Sequence, residues 1–419
     1  MKLLSIEFES YKSFPGKQVL ALRPLTIVIG KNSSGKSAFS RLPLLLANSF
    51  TLDSEEPISV SHNGVEFGGT FIDLIYNRLP HGSLKMEMNF EGDTCIKFDI
   101  QNINGKPIQM IKSWSIKSPT FSTEFEIELT EENIFRSKDI NYTSGGKIYQ
   151  VTFRGLMPIN IAFEGKDIEE PYLDELIRNL QSFSRNVEYI GPYRQIPQRV
   201  YFQSGKSPAK LGVKGENAPQ ILGTSSIRNA ELVKDVGDWY EKYLGGWRMN
   251  VELVQDFFQV VLISPDDPTV KINIVDVGQG MSQVLPLVVQ CMMKNNGSQS
   301  ISIIEQPELH LHPAAHGDLA ELFAKSAKEE GCCYILETHS ENIILRLRRL
   351  VVQGKLSKDD VVIYWINDED RPGSKITEIT LDQDGDISDW PKGVFSEDYE
   401  EVLAIREAQK KKNAGSDRP

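Results

Sequence analysis

The 419-residue sequence predicts an α/β fold: a nucleotide-binding head assembled from both ends of the chain, with an antiparallel β meander and a helical segment inserted between them. Three observations predict it. A short, apolar, β-rich run, Leu25 to Ile29, enters the glycine-rich stretch Gly30 to Ser37, and helix-like sequence follows to about Asn48. The runs LKMEMNF, CIKFDIQ, IQMIKSWSIK, FEIELT, IYQVTF and INIAF, between about Leu84 and Phe163, alternate with period two and are separated by Gly, Asn or Asp turns. From about residue 250 to Asn367, apolar strand-like pieces alternate with helices, the pattern of a parallel sheet covered on its faces.

Taken in order, residues 2–10 alternate as a strand, Pro15-Gly16 turns the chain, and Val19 to Leu22 returns it. After the meander, Asp167 to Ser184 carries Leu173, Leu176, Ile177, Leu180 and Phe183 on one helical stripe. Residues 189–225, rich in Gly, Pro and Ser, read as a long loop or ordered connector, and a helix follows from about Ala230 to Leu244. The expected organisation is a head from residues 1–50 and 250–400, a β-rich subdomain at 51–165, a helical subdomain and connector at 166–249, and a flexible tail at 401–419. No heptad run lasts three repeats, so long coiled-coil arms are not expected.

The composition is that of an ordinary globular protein, 40% hydrophobic and 25% charged. No apolar run approaches the roughly 18 residues that span a bilayer, and acidic residues stand where a signal peptide carries its apolar stretch, so no membrane partner and a cytoplasmic location are expected. Cys95, Cys291, Cys332 and Cys333 lack metal-ligand spacing and read as reduced core thiols. A net charge of −12 argues against a surface that coats DNA non-specifically. The basic clusters are Arg346, Arg348, Arg349 and the tail Lys410 to Lys412.

The strongest motif is Gly30, Lys31, Asn32, Ser33, Ser34, Gly35, Lys36, Ser37, a full match to G-x-x-x-x-G-K-[ST] placed after a strand and before a helix. Its glycines let several N–H groups point at one anion, and the helix N-terminus adds a positive dipole end. Lys36 supplies a point charge to the β and γ phosphates and Ser37 a hydroxyl to Mg²⁺. A second feature is SISIIEQPELHLHP, Ser300 to Pro313, where Glu305 ends a buried strand and is the expected organiser of Mg²⁺ with Ser37. His310, His312 and His316 invite a zinc reading through the i, i+4 pair, but no further ligand joins them, and a turn touching a partner subunit is favoured.

Two more features complete the set. In DVGQGMSQVLPLVVQ a glycine turn precedes an apolar helix, with Ser282 at an expected N-cap. One loop already wraps the phosphates, so this turn is suited to the γ-phosphate of a second subunit. In CCYILETHSEN a buried strand ends in Glu337-Thr338-His339-Ser340. His339 there is placed to register a γ-phosphate, and Ser340 to cap the following helix.

Jointly, the phosphate loop, VGQGMSQ, IEQPELHLHP and ETHS resemble the ABC-type ATPase heads of the SMC, RecF and OLD class, nearest to the bacterial OLD-like AAA ATPases. The resemblance runs from Met1 to about Tyr399 and includes VEFGGTFIDLIY, YIGPYRQIPQRVY, GVKGE and WPKGVF. It implies ATP and Mg²⁺ as cofactors and an ATP-dependent homodimer. Gly278, Gly280, Ser282 and Gln283 would form the signature that contacts ATP in trans, His339 the switch histidine, and His310 to Pro313 the loop crossing the interface. It further implies a separate effector, such as a nuclease in defence against phage, and a possible DNA contact.

Two departures qualify it. Gln306 stands where such heads carry a glutamate base, and losing a positioned base typically costs about 10²–10⁴ in rate. Either Glu308 substitutes, or Gln306 orients the water, or turnover is slow. OLD proteins carry a nuclease module of the TOPRIM type after the head, but only about 80 residues follow His339. Their acids Asp382, Asp384 and Asp386 in LDQDGDISDW fail calcium-loop spacing and read as a hairpin turn, so no nuclease module is expected in this chain. The leading reading is an ATP-gated switch, with Glu305, Gln306, Glu308 and His339 as the catalytic set. Its rivals are a RecF-type DNA repair ATPase, a scaffold that binds ATP without hydrolysing it, and a small-molecule kinase. The kinase explains neither Gly278 to Gln283 nor His339.

Overall fold

The computed structural model describes residues 1–51, 53–103, 108–127, 140–168, 171–294, 299–368, 373–387 and 404–406. The end of FEIELT, all of WPKGVF and the basic tail lie outside them. Among the described residues no helix is long and apolar enough to cross a membrane.

Along the chain, β1 (Leu3–Glu9) and β2 (Gln18–Ala21) form a hairpin, and β3 (Leu25–Gly30) enters the phosphate loop. Helices α1 (Lys36–Ser40) and α2 (Leu42–Ser49) follow, then the short pair β4 (Ser61–His62) and β5 (Val65–Glu66). The meander comprises β6 (Ser83–Phe90), β7 (Thr94–Ile103), β8 (Ile108–Lys117), β9 (Ser122–Glu126), β10 (Asn141–Ser144), β11 (Lys147–Arg154), β12 (Met157–Phe163) and β13 (Lys166–Asp167). Next come α3 (Pro171–Arg185), β14 (Val187–Ile190), β15 (Tyr201–Phe202), α4 (Ala218–Arg228), α5 (Glu231–Tyr243), β16 (Arg248–Val254), β17 (Phe257–Ile263) and β18 (Lys271–Asn273). The last part holds α6 (Gln279–Gln283), α7 (Leu285–Met292), β19 (Ile301–Glu305), α8 (Pro313–Glu330), β20 (Cys333–Glu337), α9 (Glu341–Val352), β21 (Val361–Asn367) and β22 (Lys375–Ile379).

The mixed α/β class stands as the sequence predicts, with a ten-stranded antiparallel sheet ordered β13-β12-β11-β10-β9-β8-β7-β6-β1-β2. The division at residue 50 runs through this sheet, because β1 pairs with both β2 and β6: the first strands continue the meander. The second sheet is ordered β14-β19-β20-β3-β21-β22 and is parallel except for β22. Its central strands β3, β19, β20 and β21 are mostly apolar and buried because both faces are covered. Val28, Ile303, Ile335 and Tyr364 face one core, shared with α1–α3 and the antiparallel sheet. Ile27, Ile29, Ile304, Leu336 and Ile363 face the other, built on α4, α5 and α7–α9. Strands β15–β18 form a smaller sheet on that second side.

Two expected helices are each broken once, for one reason. Pro43 and Pro286 lack the N–H that the helix ladder requires, so the helices restart at Leu42 and Leu285 with proline in the first turn. The connector 189–225 is shorter than its composition suggests, since α4 already begins at Ala218. Gly223 and Thr224 obscured it. Gly223 is small because the Phe258 ring packs on it: a Cβ there would lie 2.6 Å from two ring carbons. Gly223→Ala should therefore destabilise the fold by about 1–3 kcal/mol despite raising helix propensity, measurable as a lowered midpoint in urea with unchanged slope.

Candidate nucleotide site

The site begins with strand order. β20 lies between β3 and β19, with Glu337 opposite Val28 on one side and Glu305 on the other. Two residues on from Ile303 and Ile335, Glu305 and Glu337 share the face that looks toward α1. On α1 and its C-cap, Ser37, Ser40 and Arg41 stand at i, i+3 and i+4 and form one ridge. Ridge and strand ends meet. Ser37 Oγ donates to Glu337 Oε1 at 3.0 Å and Ser40 Oγ to Oε2 at 3.1 Å. Arg41 grips Glu305 with two bonds, Nε to Oε1 at 2.5 Å and Nη2 to Oε2 at 2.8 Å, and its guanidinium lies 5.1 Å from the centre of the Tyr189 ring.

The electrostatics follow from that packing. Glu305 and Glu337 are 4% and 6% exposed and adjacent. Burial, then the neighbouring Glu305 charge, push the Glu337 carboxyl from 4.5 up to about 7, against the opposing pull of Ser37, Lys36 and Ser40. Burial and the Glu305 charge likewise raise the Tyr189 phenol. Burial alone would lower the Arg41 pKa, but its bonds to Glu305 raise it overall.

In the phosphate loop, Gly35 has φ of 103°, and a Cβ there would lie 2.6 Å from Ser13 Oγ, so only glycine fits. Lys31, Asn32 and Ser33 are exposed and Ser34 is buried. Lys36 turns back onto the loop, donating to the carbonyls of Gly30 at 3.0 Å and Lys31 at 2.6 Å. Burial holds its pKa below the usual lysine range, with Glu337 opposing. These are the bonds a phosphate would replace.

Beyond β19 the chain turns through Gln306, which has φ of 44° and donates its N–H to Glu337 O at 2.7 Å. Glu308 Oε1 accepts the N–H of His339 at 2.7 Å. Partial burial and the Lys36 charge hold the His339 imidazole below its ordinary pKa, with Glu308 opposing, so it is neutral at pH 7. Arg194 Nη2 donates to the carbonyls of Glu305 and Gln306.

Several expectations change here. The partner of Ser37 is Glu337, one strand nearer than Glu305, whose oxygens are taken by Arg41. Ser282 is not an N-cap: Gly278 caps α6, and the Ser282 hydroxyl donates within the helix to Gln279 O at 3.1 Å. Gln283 is buried, while Gly278 is exposed. Gly280 abuts the His310 loop of its own chain, where a Cβ would lie 2.6 Å from His310 O. Ser340 does cap α9. His312 Nδ1 caps α8 by accepting from Ala314 N, and the His316 ring bonds Ser340 Oγ and Leu311 O. Among the described residues no group of three His, Cys, Asp or Glu has metal-site geometry.

Sequence reasoning passed over Glu337, Arg41, Tyr189 and Arg194. Two were legible: CYILE repeats the pattern of ISIIE, a buried strand ending in a carboxylate, and Arg41 follows Ser37 at helical spacing. The remaining two depend on strand order. The Ser37 hydroxyl and the Glu337 carboxylate it bonds are oxygen donors of the kind Mg²⁺ takes, so these two residues fit that ion, while both Glu305 oxygens are held by Arg41.

The pH dependence of stability should expose Glu337. Its folded pKa lies above 4.5, so the folded state loses stability from this group as pH rises from about 4.5 to about 7, by up to on the order of 3 kcal/mol. Glu337→Gln keeps the shape without the charge. Thermal melts without nucleotide should show it stabilising the protein above pH 7 and giving little gain near pH 4.5.

A family model described as "AAA ATPase domain" matches residues 1–344, and one described as "Protein of unknown function (DUF3696)" matches residues 356–403. No curated protein matches. Similar solved structures include an SMC head bound to the C-winged helix domain of ScpA, at 13% identity over 91% of this chain and 99% of that one, with a TM-score of 0.49. Another is the SMC head domain from Thermotoga maritima, at 9% identity over 90% and 98%, TM-score 0.42. A third is an SMC head with an extended coiled coil bound to the C-terminal domain of ScpA, from Pyrococcus furiosus, at 11% identity over 98% and 99%, TM-score 0.46. With the phosphate loop, the strand-end carboxylates and a domain match over most of its length, the chain belongs to the AAA ATPase domain family.

Proposed function

We propose that the protein is an ATP-binding, slowly hydrolysing switch that dimerises head to head on Mg²⁺–ATP and controls a separate effector. The observation that carries this is the convergence of Lys36, Ser37, Glu337 and Glu305 at one end of the parallel sheet. In this reading the loop amides of Gly30 to Ser37 and the Lys36 ammonium bind the β and γ phosphates. Ser37 and Glu337 would hold Mg²⁺, which neutralises phosphate charge when bound, and Glu305, held by Arg41, would add its negative charge from the next strand. His339, neutral and beside Lys36, donates to the terminal phosphate. Gly278, Gly280 and Ser282 cover the nucleotide of the partner copy, and Gln283 is buried in its own chain.

Hydrolysis is slow because Gln306 orients water without taking its proton, leaving Glu308 as the nearest candidate base. The ATP-bound dimer is then long-lived, which suits a switch. The effector we assign is of the nuclease class, acting in defence against phage; this assignment rests on the motif resemblance to OLD-like ATPases. The DNA repair reading is disfavoured by the basic cluster on α9. Arg346 pairs with Asp318 and Glu321, and Arg348 bonds Gly385 O and Asp386, so its charge is largely spent inside the chain.

Steady-state assays and light scattering test the proposal together. Wild type should turn over ATP at below about 1 s⁻¹, the slow end of the usual range. It should double in mass with ATP and Mg²⁺, and Lys36→Ala should do neither. Glu308→Gln should trap the dimer and cut turnover by about 10²-fold or more. Full turnover in Glu308→Gln removes that residue as the base, and an ATP-independent mass removes the switch.

A further inference from the structure

Arg194 is 5% exposed, deep beside the end of β19. Its Nη2 donates to two successive carbonyls, Glu305 O at 3.1 Å and Gln306 O at 3.0 Å. Its Nε and Nη1 have no hydrogen-bond partner among the described residues, and neither has Glu308 Oε2. The two side chains attract each other, and burial lowers the Arg194 pKa to about 10 with Glu308 opposing. Burying a guanidinium costs several kcal/mol, and two bonds to neutral carbonyls from one nitrogen do not offset that. A site that kept such a group for stability alone would favour an apolar side chain.

What Arg194 holds is informative. The two carbonyls flank Gln306, whose φ of 44° is a conformation non-glycine residues seldom adopt, and the turn leads directly to Glu308. Arg194 itself is carried by a segment pinned at both sides, through Gly191 N to Val213 O and Gln195 N to Lys214 O. A buried cation thus clamps the peptide units on either side of Gln306 and acts on the Glu308 carboxylate through its charge.

We propose that Arg194 is a positioning residue for ATP hydrolysis. It fixes the Gln306 turn and orients Glu308, so that the water-handling groups sit in register with the terminal phosphate. The inference deepens the hydrolytic reading above and rests on it.

The test uses the full chain with Arg194→Met, which keeps length and loses the donors, and Arg194→Lys, which keeps one cationic donor. Arg194→Met should lower kcat by about 10²-fold, the scale of a misplaced reacting group, with KM and the affinity for a non-hydrolysable ATP analogue within twofold of wild type. Arg194→Lys should recover a measurable part of that loss. A merely structural arginine would instead lower affinity and melting temperature along with kcat, and that result overturns the proposal. So does wild-type kcat in a folded Arg194→Met. If Arg194→Met does not fold, Arg194→Lys decides: a kcat deficit with intact analogue affinity supports the proposal, and wild-type kcat overturns it. Absence of any turnover in wild type, with Lys36→Ala no different, removes the hydrolytic reading and this inference with it.

Discussion

Two carboxylates at the ends of neighbouring parallel strands, both buried, constrain everything around them. Glu305 and Glu337 are opposite one another in register, and like charges so placed cannot both be held without partners. The chain resolves this asymmetrically. Glu305 receives a bidentate arginine, while Glu337 receives two serine hydroxyls and a raised pKa. All three partners, Ser37, Ser40 and Arg41, come from α1 and its C-cap, where the phosphate loop runs into helix, so the loop's position is tied to the charge state of the strand ends. A divalent cation is the natural means of relieving the remaining repulsion.

The same constraint links the phosphate loop to the residues that would handle water. Glu337 reaches Ser37 through its side chain and Gln306 through its carbonyl. His339, two residues beyond Glu337, uses its backbone N–H to hold Glu308. β20, lying between the loop strand and β19, therefore joins the nucleotide site to the hydrolytic turn. Displacing Lys36 from the loop carbonyls by phosphate would alter the field felt by both Glu337 and His339.

Much of this was legible from local pattern. The loop GKNSSGKS, the apolar strands Leu25 to Ile29 and Ile301 to Ile304, the alternating meander and the Ser340 cap are short-range signals, and each appears where the residues place it. What escaped depended on which strands become neighbours. Sequence alone does not show that β20 separates β3 from β19, so Ser37 was matched to Glu305 and Glu337 was passed over. Nor does it show that β1 joins the meander. Ser282 was misplaced because a glycine turn has more than one residue able to cap, and Gly278 does so. Helix α4 was hidden because a glycine kept small for the Phe258 ring looks like a loop glycine.

The most direct test of the central claim counts protons. Binding of a non-hydrolysable Mg²⁺–ATP analogue, followed by calorimetry at pH 7 in buffers of different ionisation enthalpy, should release roughly half a proton from a carboxyl with pKa about 7. That contribution should vanish in Glu337→Gln. Equal release by wild type and Glu337→Gln would contradict the account, because Glu337 would then stand outside the nucleotide site.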